Sequence, residues 1–162
     1  MKNFLLLLGL IVATFIFIRV VNDQPIPFIK DVNLDNPVYA EMRINASISG
    51  RNFKMVLYGK MASREECLEL GRQTMMEMFK GCPFCEFQGT KCLKTATARI
   101  ENLFNNVPTH LSYASMTRNK VNERDGRAIV WGASVQESKY ICKSMIEEVK
   151  KNYSGKAVCI NP

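Results

Sequence analysis

The sequence predicts an α+β domain, a two-layer sandwich of ferredoxin-like character, standing behind an N-terminal transmembrane helix. Three observations lead there. Apolar residues alternate with period two over Met42 to Ser49, near the start of the polar part of the chain, which marks a half-buried strand. Two serine capping boxes, Ser63-Arg64-Glu65-Glu66 and Ser134-Val135-Gln136-Glu137, each open a stretch with helical apolar spacing. Each of those helices follows a hairpin and precedes a cysteine-bearing strand, so the domain divides into two ββαβ half-repeats.

The chain has 162 residues, 47% hydrophobic and 23% charged, which is enough for one domain with a real core and argues against a disordered or polytopic membrane protein. Residues 1–21 are the exception. From Phe4 to Ile18 the side chains are almost all apolar, with Lys2 before them and Arg19 behind. As a helix, Phe4 to Val21 would reach about 27 Å at about 1.5 Å per residue, just short of a ~30 Å hydrocarbon core. No small-residue cleavage site follows the apolar run, so the expectation is an uncleaved signal anchor with Arg19 snorkelling to the interface. Residues 22–40 carry Pro25, Pro27 and Pro37 and read as an extended tether, with residues 41–162 as the folded domain.

Met42 to Ser49 alternates apolar and polar, Gly50-Arg51-Asn52 reads as a turn, and Phe53 to Tyr58 as the returning strand. The helix opened by Ser63 has Cys67, Leu68, Leu70, Met75, Met78 and Phe79 for an apolar face, and Gly81 with Pro83 stops it. Glu86 to Leu93 is the next strand. A short helix is expected over Ala96 to Phe104, then a strand over Leu111 to Thr117. Arg118 to Gly126 reads as a loop. Arg127 to Trp131, apolar through Ala128-Ile129-Val130-Trp131, reads as a strand central in the sheet. The helix after Ser134 aligns Cys142, Ile146, Val149 and Tyr153 in one stripe, and Ala157 to Ile160 is the last strand. Val56-Leu57-Tyr58-Gly59 is echoed by Ile129-Val130-Trp131-Gly132, which suggests an internal duplication.

Six cysteines behind an export-type segment point to an oxidising compartment, with the N-terminus cytoplasmic and the bulk of the chain periplasmic or otherwise extracytoplasmic. In each half the helix has a cysteine near its beginning and the returning strand one near its end. An antiparallel helix and strand bring those ends together, predicting Cys67–Cys92 and Cys142–Cys159 and leaving Cys82–Cys85. Each long bridge is worth about 3 kcal/mol in the chain-entropy picture.

Cys82-Pro83-Phe84-Cys85 resembles the tetrapeptide of glutaredoxin-type proteins, and that resemblance implies an envelope thiol-disulfide oxidoreductase using Cys82 and Cys85. The local context opposes it. The motif ends a helix, where the macrodipole disfavours a thiolate, whereas a low-pKa thiol needs a helix beginning. Zinc held by Cys82, Cys85, Cys92 and His110 is a further use of the Cys-x2-Cys spacing, but a second close pair is missing and no metal is expected. His110, the only histidine, has no triad partner at a known spacing. Met75, Met76 and Met78 read as core filler, and Tyr58 and Trp131 likewise. Asn45-Ala46-Ser47 and Asn152-Tyr153-Ser154 match the glycosylation sequon. With no phosphate loop or nucleotide fingerprint, no cofactor is expected. The order strand, glycine, cap, helix is similar to that in each half of the peptidoglycan-binding SPOR domains, which implies a glycan-binding alternative.

The net charge of +7 is a mild excess, and bases alternate with acids, so no nucleic-acid partner is expected. The basic insertion carries Lys94, Arg99, Arg118, Lys120, Arg124 and Arg127, after Lys91, against Glu101, Glu123 and Asp125, and is the candidate interaction surface. The expected function is therefore a non-catalytic binding or accessory subunit of a membrane or envelope assembly. It would be held to the membrane by residues 4–21 and would meet protein partners through its sheet face or that insertion.

Overall fold

A computed structural model describes residues 34–162. The expected anchor over residues 1–21 and most of the tether lie outside the described residues, as do the side chains of Met78 and Phe79. Among the described residues no helix is long and apolar enough to cross a membrane.

The elements are β1 (Val38–Ile48), β2 (Arg51–Met61), α1 (Arg64–Gly81), β3 (Cys85–Leu93), α2 (Ala98–Phe104), β4 (Tyr113–Thr117), β5 (Gly126–Trp131), α3 (Val135–Val149) and β6 (Lys156–Ile160). The six strands form one antiparallel sheet in the order β3-β1-β2-β5-β4-β6. β1 begins before the expected boundary at residue 41, because Ala40 is buried in the core and Tyr39 packs edge-on against Phe104. The β1–β2 turn is Ser49-Gly50, both at positive φ, rather than Gly50-Arg51-Asn52. A two-residue turn of that hand matches the twist of the strands, so Arg51 and Asn52 are freed to join β2.

Each half is a crossover split by a third strand. β2 and β3 are both antiparallel to β1, which lies between them, and α1 connects them. β5, α3 and β6 stand in the same relation around β4. The halves meet at β2 and β5, where Val56 faces Ile129, Lys54 faces Trp131 and Tyr58 faces Arg127. The echo read in the sequence sets Val56 over Ile129, Tyr58 over Trp131 and Lys54 over Arg127. Those substitutions turn the Lys54–Trp131 pair into the Tyr58–Arg127 pair and leave Val56–Ile129 unchanged. The β2–β5 register is thus symmetric about the Val56–Ile129 pair.

The same shift carries Arg51 onto Arg124, and both do one job. Arg124, just before β5, donates from Nε to Glu66 Oε1 at 2.7 Å and forms an ion pair with it; Arg51, at the start of β2, donates to both oxygens of Glu137 at 2.6 and 3.0 Å. Glu66 and Glu137 are the acidic residues of the two capping boxes. In α3 the box is complete, Ser134 and Glu137 satisfying each other's backbone amides. In α1, Ser63 Oγ accepts from Glu66 N–H, but the Glu66 carboxylate reaches Ala62 N–H instead. Each half's helix start is clasped by an arginine of the other half.

On one face, α1 and α3 cover the even-numbered residues of β1, including Met42 and Ile44, together with Phe53, Met55 and Leu57 of β2 and Ala128 and Val130 of β5. A fully buried side chain of this size contributes roughly 1.5–3 kcal/mol. The α3 stripe is buried as read from sequence. In α1 the apolar face is rotated: Cys67 and Leu70 are buried, while Leu68 is 50% exposed. The bond from Cys67 to Cys92 fixes that rotation, and successive helix residues are ~100° apart, so Leu68 must turn outward.

The expected two layers are joined by a partial third. On the second face Ile100 and Leu103 of α2 pack with Val56, Tyr58, Leu111, Tyr113 and Ile129. The reason lies in β5, which is apolar on both sides and so needs cover on both faces.

Candidate functional site

The second face is divided. Over the second half, the connection of residues 94–112, with α2, closes the sheet. Three outward positions there are buried and donate to that connection: Tyr113 Oη to Val107 O at 2.9 Å, Ser115 Oγ to Asn106 Oδ1 at 2.7 Å, and Arg127 to Leu103 O and Phe104 O, both at 2.9 Å. Over the first half the sheet is open. The register places Arg43 opposite Val56 as Tyr113 is opposite Ile129, and Asn45 opposite Lys54 as Ser115 is opposite Arg127. The equivalents of Tyr113, Ser115 and Arg127 are therefore Arg43, Asn45 and Lys54.

These three line a groove of about 500 Å³ together with Val56, Tyr58, Gln88, Lys91, Arg99 and Trp131. Arg43, Lys54, Gln88, Lys91 and Arg99 are exposed and Trp131 is half-buried. Four cations reach it from four elements: Lys91 on β3, Arg43 on β1, Lys54 on β2 and Arg99 on α2. With strands about 4.8 Å apart, the cations run across the sheet and not along one strand. Arg43 is partly neutralised by Glu41, at 2.6 Å in the floor beside it. Among the described residues no carboxylate pairs with Lys54, Lys91 or Arg99. The Arg99 guanidinium lies 4.6 Å from the Trp131 ring centre, and the His110 ring is 5.2 Å from the same indole. Stacking of this kind, worth about 0.5–1 kcal/mol at exposed sites, leaves the N–H edges of an arginine free to donate. Burial pushes the Tyr58 hydroxyl above its ordinary pKa, against the opposing pull of Arg99, so it stays a neutral phenol.

Of the basic insertion expected to form a surface, only Arg99 reaches the groove. Arg127 is 3% exposed, and besides Leu103 and Phe104 it donates to Met116 O and Gly126 O, holding the end of α2 from inside. Arg124 is bound to Glu66 and to Asn122 O. Arg118 is half-buried, its backbone N–H donating to Asp125. Lys94 and Lys120 are exposed, on the connection after β3 and the loop after β4. Sequence reasoning missed Arg43, Asn45 and Lys54. Their signal was the polar side of the alternating strands, which reads as plain solvent contact.

The cysteines form Cys67–Cys92, Cys82–Cys85 and Cys142–Cys159, the pairs the chain order predicts, with Cα separations of 6.0, 5.3 and 5.9 Å. Cys82 is 2% exposed and follows the last residue of α1, at the negative end of the helix dipole. Ser47 N–H donates to Phe84 O, pinning the tetrapeptide against β1. All three cysteines of the zinc alternative are spent in these bonds, and His110 packs on Trp131. The groove itself offers cationic and amide donors, chemistry suited to holding acceptor groups.

No protein-family model matches the chain, and neither a curated protein nor a solved structure matches it.

Proposed function

We propose that the chain is a membrane-anchored, extracytoplasmic, non-catalytic binding subunit, and that the open groove of its first half is the face that meets its ligand. The observation that carries this is the contrast in the sheet. The same three positions that grip the chain's own connection in one half line an open groove in the other, with Arg43 and Lys54 exposed and Asn45 half-buried. The use of all six cysteines in bonds supports an oxidising compartment, and the apolar residues 4–21 support the anchor. The finer fold class, two duplicated half-repeats of ferredoxin-like character, is supported by the two-fold relation of Arg51 with Arg124 and of Val56–Gly59 with Ile129–Gly132.

A photo-cross-linking residue at position 54 or 43 in the full-length protein, in cells, should yield a discrete adduct that is absent when the same residue sits at position 143 on α3. Adducts equally strong at 143, or none at 54 and 43, would remove the reading. The oxidoreductase alternative predicts a Cys82–Cys85 reduction potential well above about −300 mV. Against it stand the buried Cys82 and the helix end. The glycan alternative requires co-sedimentation with purified cell wall that depends on Arg43 and Lys54.

A further inference from the structure

We propose that the open half-face docks an acidic polypeptide segment of a partner protein, a conclusion that rests on the groove being the ligand face. The closed half displays the binding mode. There a polypeptide crosses the sheet, and the side chains at three positions hold its carbonyl and amide oxygens: Tyr113 on Val107, Ser115 on Asn106, Arg127 on Leu103 and Phe104. The open half keeps a donor at every one of these positions, Arg43 for Tyr113, Asn45 for Ser115 and Lys54 for Arg127, and the first of these exchanges adds a positive charge.

The floor also changes, and that sets the chemistry of the occupant. In the closed half it is apolar and takes Ile100 and Leu103. In the open half Arg43, Lys54, Lys91 and Arg99 line the groove while Val56 and Tyr58 are already covered, at 8% and 2% exposed, so an apolar helix face would bury Lys54 and Arg99 without partners. A segment with carboxylates satisfies them. Glu41 pairs with Arg43 and stands opposite Lys91 on β3, and Glu86, opposite Asn45, bounds the cationic area at the other end, which leaves Lys54 and Arg99 as the cations with no carboxylate beside them among the described residues. The Trp131 ring is already taken up by Arg99 and His110, which disfavours a ligand that binds by stacking bases or sugars on it.

Trp131 is the only tryptophan of the chain and stands in the groove, so its emission reports occupancy directly. The full-length protein in a zwitterionic detergent is titrated with an oligoglutamate peptide, an oligoglutamine of the same length, inorganic polyphosphate and heparin. The expected result is a saturable change with oligoglutamate, none with oligoglutamine, loss at high salt, and binding about tenfold weaker in the R43A/K54A double variant. The K139A/K143A variant, which removes two cations from α3, should bind as the wild type does. Oligoglutamate binding unchanged in R43A/K54A overturns the proposal. A tighter response to polyphosphate or heparin, lost in R43A/K54A, overturns the polypeptide and leaves the groove as the ligand face. No response to any of the four overturns both.

Discussion

The two halves of this domain share strand order, helix placement, a serine-to-glutamate helix start and the arginine that clasps it from the opposite half, yet they meet different surroundings. In the second half Arg127 is enclosed by four carbonyl oxygens; in the first, its counterpart Lys54 faces solvent beside Trp131. One connection makes that difference, because residues 94–112 can lie over only one half. Corresponding positions in two similarly connected halves can thus become a core fastening on one side and an open, solvent-facing groove on the other.

The sharpest way to break the comparison is to mutate the equivalent pair. Arg127→Ala leaves buried carbonyls of α2 and β4 without donors and opens a cavity, and should cost about 3–5 kcal/mol in chemical denaturation. Lys54→Ala should change stability by no more than about 0.5 kcal/mol. Similar losses at both sites would mean that the halves are not packed as different environments.

The clasps give the next contrast. The Arg124–Glu66 pair has side chains 11% and 3% exposed, whereas Arg51–Glu137 stands at 44% and 39%. Glu66→Ala leaves a buried guanidinium without its carboxylate, together with the Ala62 amide, and should cost about 3 kcal/mol or more. Glu137→Ala loses a screened pair and part of a cap, about 1 kcal/mol. A double-mutant cycle on each pair measures the coupling itself, and a larger coupling in the exposed pair would refute the assignment of environments.

The staples should obey loop length and not which half they sit in. Cysteine-to-serine pairs at Cys67–Cys92 and Cys142–Cys159, with sequence separations of 25 and 17, should cost about 3.5 and about 3 kcal/mol. The separation of 3 at Cys82–Cys85 gives about 1.5 kcal/mol by the same relation. Thermal denaturation of the three variants ranks them. Cys82–Cys85 as the costliest would assign that bridge a role beyond chain entropy.

How much of this could be read from the sequence divides along the same line. The caps at Ser63 and Ser134, the alternating strands and the three cysteine pairs are local or near-local rules, and the structure has them. The roles of the arginines are not local. Arg99, Arg124 and Arg127 look alike in a basic run, and only the fold sends one to a groove, one to a buried carboxylate and one beneath α2. Leu68 fails for a related reason, since the Cys67–Cys92 bond fixes the helix rotation that periodicity leaves loose. The third layer did leave a trace, in a β5 that is apolar on both sides.

The smallest expected effect concerns acid. Arg51 beside Glu137, aided by the Ser134 amide, holds the Glu137 carboxyl down at about 2, from an ordinary value of 4.5. A depressed carboxyl stabilises the fold above its unfolded pKa, and that contribution fades as pH falls through the folded value. The difference in unfolding free energy between the wild type and Glu137→Gln should therefore be constant at neutral pH and shrink between about pH 4.5 and 2. Because the pair is exposed, added salt should flatten the change further. An equal pH slope in both proteins would show that the first half's Arg51 does not clasp the second half's cap in solution. The two-fold exchange of arginines would then be reduced to its buried member, Arg124.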